Sequence, residues 1–296
     1  MRILRLIHGT LLPISLAGLA LLLAPAPAAA QDTHYFVAYS HHLEEPGSLE
    51  VEFYSNYGTQ KAGNDFIAPW VELEYGATAW WTTEFYLDSQ TTFNESTLFT
   101  GFRWENRFRP LMREHRINPV LYVEYENSTG ADKTLKEVVG FDNQFDFAEP
   151  NSELQKEHDH EIETKLILSS DYEGWNISEN FIAEKNLGHE PWEFGYALGV
   201  SRPLRLAATP RPCKFCRENF VVGAEMYGGL GTADSLTLSG TSHYIAPLVA
   251  WELPNGVTLS LSPGFGLNDN SHRFLLRWGL SYEIGGFGRK VRNLFR

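Results

Sequence analysis

Apolar and polar residues alternate with a period of two through most of the chain. Near its end, Phe274, Leu276, Trp278, Leu280, Tyr282 and Ile284 share one face, while Arg273, Arg277, Gly279, Ser281 and Glu283 share the other. A period of two is the signature of a strand whose faces meet different surroundings. The same pattern predicts twelve strands: Leu49 to Tyr57, Phe66 to Tyr75, Ala79 to Asp88, Thr97 to Phe108, Val120 to Glu126, Glu161 to Ser170, Trp175 to Ala183, Trp192 to Ser201, Phe220 to Tyr227, Tyr244 to Leu253, Val257 to Phe265 and Arg273 to Ile284. Most have the length of a membrane-crossing β-strand. An even count returns both termini to one side.

The connections sort in part by parity: three even-numbered ones are short, while RPLMREHRINP after the fourth strand and RPLRLAATPRPCKFCREN after the eighth are long and count against the pattern. The second, sixth and tenth read GAT (Gly76 to Thr78), DYEG (Asp171 to Gly174) and PNG (Pro254 to Gly256), all tight turns with glycine or asparagine where positive φ is needed. The longest connection, Asn127 to His160, falls on the opposite side. In a bacterial barrel the short turns are periplasmic and the long loops external, which predicts periplasmic N- and C-termini. Aromatics, 14% of the chain, gather near both strand ends in the manner of interfacial girdles: Tyr75, Trp81, Trp175 and Trp251 at one, Tyr57, Trp70, Trp192 and Tyr244 at the other.

Residues 1–30 have a basic start (Arg2, Arg5), an apolar stretch and a small-residue end at Ala28 to Ala30. They are expected to be a signal peptide cleaved before Gln31. Beyond them no apolar run is long enough for a spanning helix, so any membrane-embedded structure has to be a closed barrel that satisfies its own backbone. Residues 31–48 are left as an N-terminal segment, either an arm or an extension of the first strand. Residues 49–284 form the barrel, and residues 285–296 a basic periplasmic tail.

The formal net charge of -13 becomes more negative once Arg2 and Arg5 are removed, which argues against nucleic-acid binding. Positive charge collects in the fourth and eighth connections (Arg109, Arg113, Arg116; Arg202, Arg205, Arg211, Lys214, Arg217) and in the tail, where it would meet lipid headgroups. Glu126 to Glu163 is the opposite, with eleven acidic residues against Lys133, Lys136 and Lys156. A short helix is expected there around Thr134 to Val139.

The stretch RWGLSYEI (Arg277 to Ile284) resembles the C-terminal assembly signal of bacterial outer-membrane β-barrels: Arg277 takes the polar position, Gly279 the glycine, Tyr282 the first apolar and Ile284 the last. It departs from that signal in ending on isoleucine rather than an aromatic residue and in being followed by twelve more residues. The resemblance implies an all-β, closed antiparallel transmembrane barrel of about twelve strands in the outer membrane. Its implied partners are outer-membrane lipids and the barrel assembly machinery, and it carries over no particular activity.

With apolar faces outward, the polar faces place Glu50, Glu52, Glu72, Glu74, Glu84, Arg103, Glu105, Arg107, Glu124, Glu163, Lys165, Glu193, Glu225, Glu252, Arg273, Arg277 and Glu283 toward the lumen. Glu179 breaks the rule, sharing a face with Trp175, Ile177 and Phe181, which a bulge or slip would explain. So many charges require a lumen that is wet or networked. Two readings follow: a narrow channel for small hydrophilic or cationic solutes, or a closed structural barrel of internal ion pairs. A third, lipid hydrolysis, would draw on Ser242, His243, Asn270, Ser271 and His272. His41 with His42, and His158 with His160, supply no full ligand set at diagnostic spacing, so neither a metal nor a cofactor is expected. Cys213 and Cys216 are expected to pair as a local disulfide in an oxidising compartment.

Overall fold

The computed structural model describes residues 34–134, 138–188, 190–208 and 213–294. The expected signal peptide, and the middle of the helix expected at Thr134 to Val139, lie outside them. Thirteen strands occur among the described residues: β1 (Leu49–Thr59), β2 (Phe66–Thr78), β3 (Trp81–Thr92), β4 (Thr97–Phe108), β5 (Asn118–Thr129), β6 (His158–Tyr172), β7 (Trp175–Asn186), β8 (Glu193–Pro203), β9 (Phe220–Thr232), β10 (Ser235–Leu236), β11 (His243–Glu252), β12 (Val257–Gly266) and β13 (Phe274–Ile284). Each pairs antiparallel with its neighbour. β13 pairs with β1 from Leu49 opposite Ile284 to Thr59 opposite Phe274, which closes the sheet. β10 only extends the end of β9, so the barrel itself has twelve strands. Closure leaves no edge with unpaired backbone, the condition for residence in lipid.

The outer face is a belt of exposed apolar side chains on every long strand. It includes Phe53, Val71, Phe85, Trp104, Leu121, Leu166, Phe181, Leu198, Met226, Ile245, Leu261 and Trp278. A continuous apolar ring of that extent suits hydrocarbon and not water. Glu179 lies within it, opposite Leu168 on β6 and Leu198 on β8, with neither pairing shifted. No bulge or slip turns it inward.

One rim carries both ends of the barrel and the tight turns. Between β6 and β7 the two turn residues, Glu173 and Gly174, have φ of 50° and 81°, the left-handed pair that matches the twist of a hairpin. At the other rim lies the long connection from β5 to β6. Both of these strands run further than their hydrophobic pattern suggests, because backbone pairing continues above the apolar belt. His158 and His160 are therefore strand residues opposite Thr129 and Asn127. The basic tail is helical from Phe287 to Leu294, with the Gly288 amide donating to Gly47 O at 2.9 Å.

Candidate functional site

The barrel interior has two unlike walls. β1 to β6 contribute most of its charge, including Glu52, Glu72, Glu74, Glu84, Asp88, Arg103, Glu105, Arg107, Glu124, Glu126, Glu163 and Lys165, all buried. From β7 onward the inward positions are mostly small or neutral: Asn176, Ser178, Asn180, Ala197, Ser201, Ala246, Ala250, Ser260 and Ser262 are buried there, with Glu184, Glu225 and Arg277 as charged exceptions. Eleven acidic residues of the strands are buried against four basic ones.

The basic side chains sit among the carboxylates. Arg107 Nη2 lies 2.6 Å from Glu74 and also pairs with Glu84, while its Nε lies 3.0 Å from Glu105. Arg103 lies 3.2 Å from Asp88 and 3.5 Å from Glu124, and Lys165 lies 2.8 Å from Glu163. Tyr86 places its hydroxyl 2.6 Å from Glu84 and 2.8 Å from Glu105. Arg277 contacts the hydroxyl of Tyr227 and stands over its ring.

Residues 34–48 fold into this interior and are neither the periplasmic arm nor the extension of the first strand that the sequence suggests: β1 begins only at Leu49, and the segment before it packs against inward side chains. The segment leaves β1 at the rim of the termini, where the Gly47 amide donates to Gly76 O at 2.6 Å. A side chain at Gly76 would collide with the Glu45 carbonyl, so this crossing requires glycine. Further in, the Tyr39 hydroxyl donates to Glu105 at 3.0 Å, and the Tyr39 ring lies 4.6 Å from Lys165 Nζ and 5.3 Å from the Arg107 guanidinium carbon. Facing these cations across the small-residue wall, Asn180 accepts from Tyr39 N at 2.6 Å and donates to Tyr39 O at 2.9 Å.

At the deepest bend the Glu225 carboxylate accepts from the amides of Val37 and Ala38, each at 2.8 Å, and of Phe36 at 3.1 Å. Three backbone donors converging on one carboxylate form an anion nest built from the plug itself. The chain then returns toward the rim it came from: the Tyr35 hydroxyl reaches Asn176 Oδ1 at 3.0 Å, and His34 reaches Glu252 at 2.8 Å. Gly199 makes the return possible, since a Cβ there would lie 2.7 Å from the Tyr35 ring and 3.1 Å from the Ala38 Cβ.

The opposite rim is covered by the long acidic loop. Lys133 N donates to Gln90 Oε1 at 2.7 Å, Gln90 donates to Ala131 O at 2.7 Å, and Gln144 donates to Asp269 O at 2.8 Å. Gly140 bridges to Gly231. Val138 and Val139 from this loop and Val37 and Ala38 from the plug belong to one buried apolar cluster with Phe66, Ile182, Tyr227, Tyr244 and Leu275. The two inserts thus contribute to one apolar cluster inside the barrel.

Five of the residues expected in the lumen stand at its rims. Arg273 and Glu283 are exposed, just before and near the end of β13, and Glu50, Glu193 and Glu252 are only half-buried at strand ends. Their alternation phase is inward, but inward has no meaning where the wall stops. The elements of a hydrolase do not assemble: Ser271 Oγ donates to Asn268 Oδ1 or His243 O, both at 2.8 Å, and Ser242 Oγ to Asp142 O. The His243 ring contacts Tyr196 and Thr241, not serine. The His272 ring is fully buried beside Phe66, and burial with the nearby Arg277 charge pushes it down to about 4. Cys213 and Cys216 are joined as a disulfide with Cα atoms 5.4 Å apart.

Missed by the sequence reading were Tyr35, Tyr39 and Asn180. The plug alternates in no register, and nothing in YFVAYSHHLEE separates a strand extension from an insert. Asn180 carried a detectable signal, as an amide on the inward face of β7 in line with Asn176 and Ser178.

A closed sheet, an apolar belt and a charged interior together define a transmembrane β-barrel of the bacterial outer-membrane type. Solved structures share this fold. An outer membrane channel from Pseudomonas putida F1 superposes with a TM-score of 0.51 at 12% identity, over 86% of this chain and 99% of that one. The NanC porin gives 0.49 at 9% identity over 80% and 100%, and the KdgM porin 0.47 at 5% identity over 78% and 98%. The likeness is one of fold. No family model and no curated protein sequence matches the chain.

Proposed function

We propose that the protein is a narrow outer-membrane channel for small hydrophilic cations, held at low conductance by its own N-terminal segment. The terminal rim is assigned to the periplasm, so the plug enters from that side and the acidic loop covers the outer mouth. The observation that carries the reading is the surplus of buried carboxylates over basic groups inside the wall. A dry structural barrel would gain nothing from such an excess, because an uncompensated buried charge is strongly destabilising. Mobile cations and water along the β1 to β6 wall would compensate it, and the resulting field favours cations. The fold it shares with an outer membrane channel is consistent with this role.

The test is conductance in planar lipid bilayers under a salt gradient, with the intact protein and with Glu225→Ala. Small cation-selective currents are expected from the intact barrel and larger ones from the variant. Anion selectivity, or silence from both proteins, would refute the channel and leave the plugged barrel as a structural element.

A further inference from the structure

The plug carries adjacent histidines, and the fold brings to them two carboxylates from distant parts of the chain. His41 and His42 lie where the segment passes the end of β6, with ring centroids 4.2 Å apart. His42 Nε2 is 2.9 Å from Asp171 Oδ2. His41 Nε2 is 3.7 Å from the same oxygen and 3.1 Å from Glu114 Oε1, on the connection between β4 and β5. The metal-binding atoms of His41, His42 and Asp171 all fall within 4.8 Å of one another.

We propose that these four side chains form a binding site for a divalent transition metal ion of the zinc class, which clamps the plug to the barrel wall. Four nitrogen and oxygen ligands at about 2.0–2.1 Å from a tetrahedral ion stand roughly 3.3 Å from each other, and the separations found here scatter about that value. The donor set of two imidazoles and two carboxylates suits zinc, where an all-oxygen cluster would suit calcium or magnesium.

Two further features point to a ligand rather than to chance proximity. The His41 ring is fully buried, yet its Nε2 has no hydrogen-bond partner of acceptable geometry although it faces two carboxylate oxygens at 3.1 and 3.7 Å. The outward atoms of the set are also held. His41 Nδ1 meets Ser169 Oγ at 2.9 Å, which leaves Nε2 facing the cluster, and Asp171 Oδ1 accepts from Asn176 Nδ2 at 2.6 Å, which leaves Oδ2 facing it. Such outer contacts orient ligands in metal sites. Arg109 is directed to Glu114 Oε2, while Glu114 Oε1, which also accepts from Asn118 Nδ2, is the oxygen that faces His41. Asp171 and Glu114 are partly exposed at the rim, so an ion can reach the site without crossing the lumen.

The inference is independent of conduction, and its test is binding. The full mature chain, without a polyhistidine tag, is titrated with zinc chloride in detergent by calorimetry and equilibrium dialysis. One ion per chain is expected, with affinity reduced at least tenfold in His42→Gln and in Asp171→Asn and unchanged in His160→Gln. Heat-modifiable migration confirms that each variant is folded, and cobalt substitution reports tetrahedral geometry through its visible absorption. Zinc is also expected to slow amide hydrogen exchange at residues 36–38 at least tenfold in the parent protein and not in His42→Gln. No uptake by the folded parent protein beyond that of His42→Gln, or loss of binding in His160→Gln instead, would overturn the proposal.

Discussion

The carboxylate of Glu225 stands 2.8 Å from the backbone nitrogen of Val37, a residue nearly two hundred positions earlier in the chain and held in the barrel interior. The same oxygen accepts from Ala38. This anchor is expected to dominate retention of the plug, because bonds to an ionised acceptor contribute roughly 1.5–3 kcal/mol each. Glu225→Ala should weaken seating by several kcal/mol. Amide hydrogen exchange at residues 36–38 should then accelerate by at least a hundredfold while exchange in the strands stays slow. Equal protection in parent and variant would show that the anchor is dispensable.

Gly199 tests the same seat sterically. Its absent Cβ is replaced by the Tyr35 ring and Ala38, so Gly199→Leu should displace the plug without touching a lumenal charge. The expected outcome is protease cleavage within residues 34–48 of a barrel that still migrates as folded. If the variant is as resistant as the parent, the close approach is not what holds the segment.

Arg107 serves three carboxylates, Glu74, Glu84 and Glu105. Arg107→Met leaves them without their cation, and loss of one partner from a buried network costs about 3–5 kcal/mol. Urea-induced unfolding in detergent should shift to lower denaturant accordingly. Addition of Glu84→Gln to that variant should restore part of the loss by removing one of the stranded charges.

The pH response of the loop rim follows from His272. Burial holds its folded pKa near 4, below the unfolded value of about 6.5. The unfolded state therefore binds the extra proton first, and stability is complete above pH 6.5 and declines as pH falls toward 4. The full loss is of order 3 kcal/mol. Heat-modification temperature should fall across that window in the parent protein and much less in His272→Phe; parallel curves would exclude His272 as the cause.

The barrel was legible in the sequence because a wall between lipid and a polar interior imposes a two-residue period on every strand. Leu275 and Arg277 point inward where Leu276 and Trp278 point outward, as alternation in RWGLSYEI requires. Tight turns announced themselves through glycine, as at Gly174. The interior was less legible. A segment that binds inside a barrel is held by its backbone, as Val37 and Ala38 are by Glu225, so its side chains carry no period. The partners of His41 are scattered from residue 114 to residue 171, and only the strand register brings them together. Arg273 and Glu283 show the converse limit, since alternation continues past the height at which the wall separates inside from outside.

The plug is continuous with β1 through Ser48 and Leu49, and it bends back to the rim by which it enters. When it leaves its seat it remains tethered beside the mouth, so its return is an intramolecular event at an effective concentration of order millimolar. In the channel proposed above, the segment would act as a self-resetting stopper: an opening would last only while something else occupied the seat or strained the tether, with no separate closing partner.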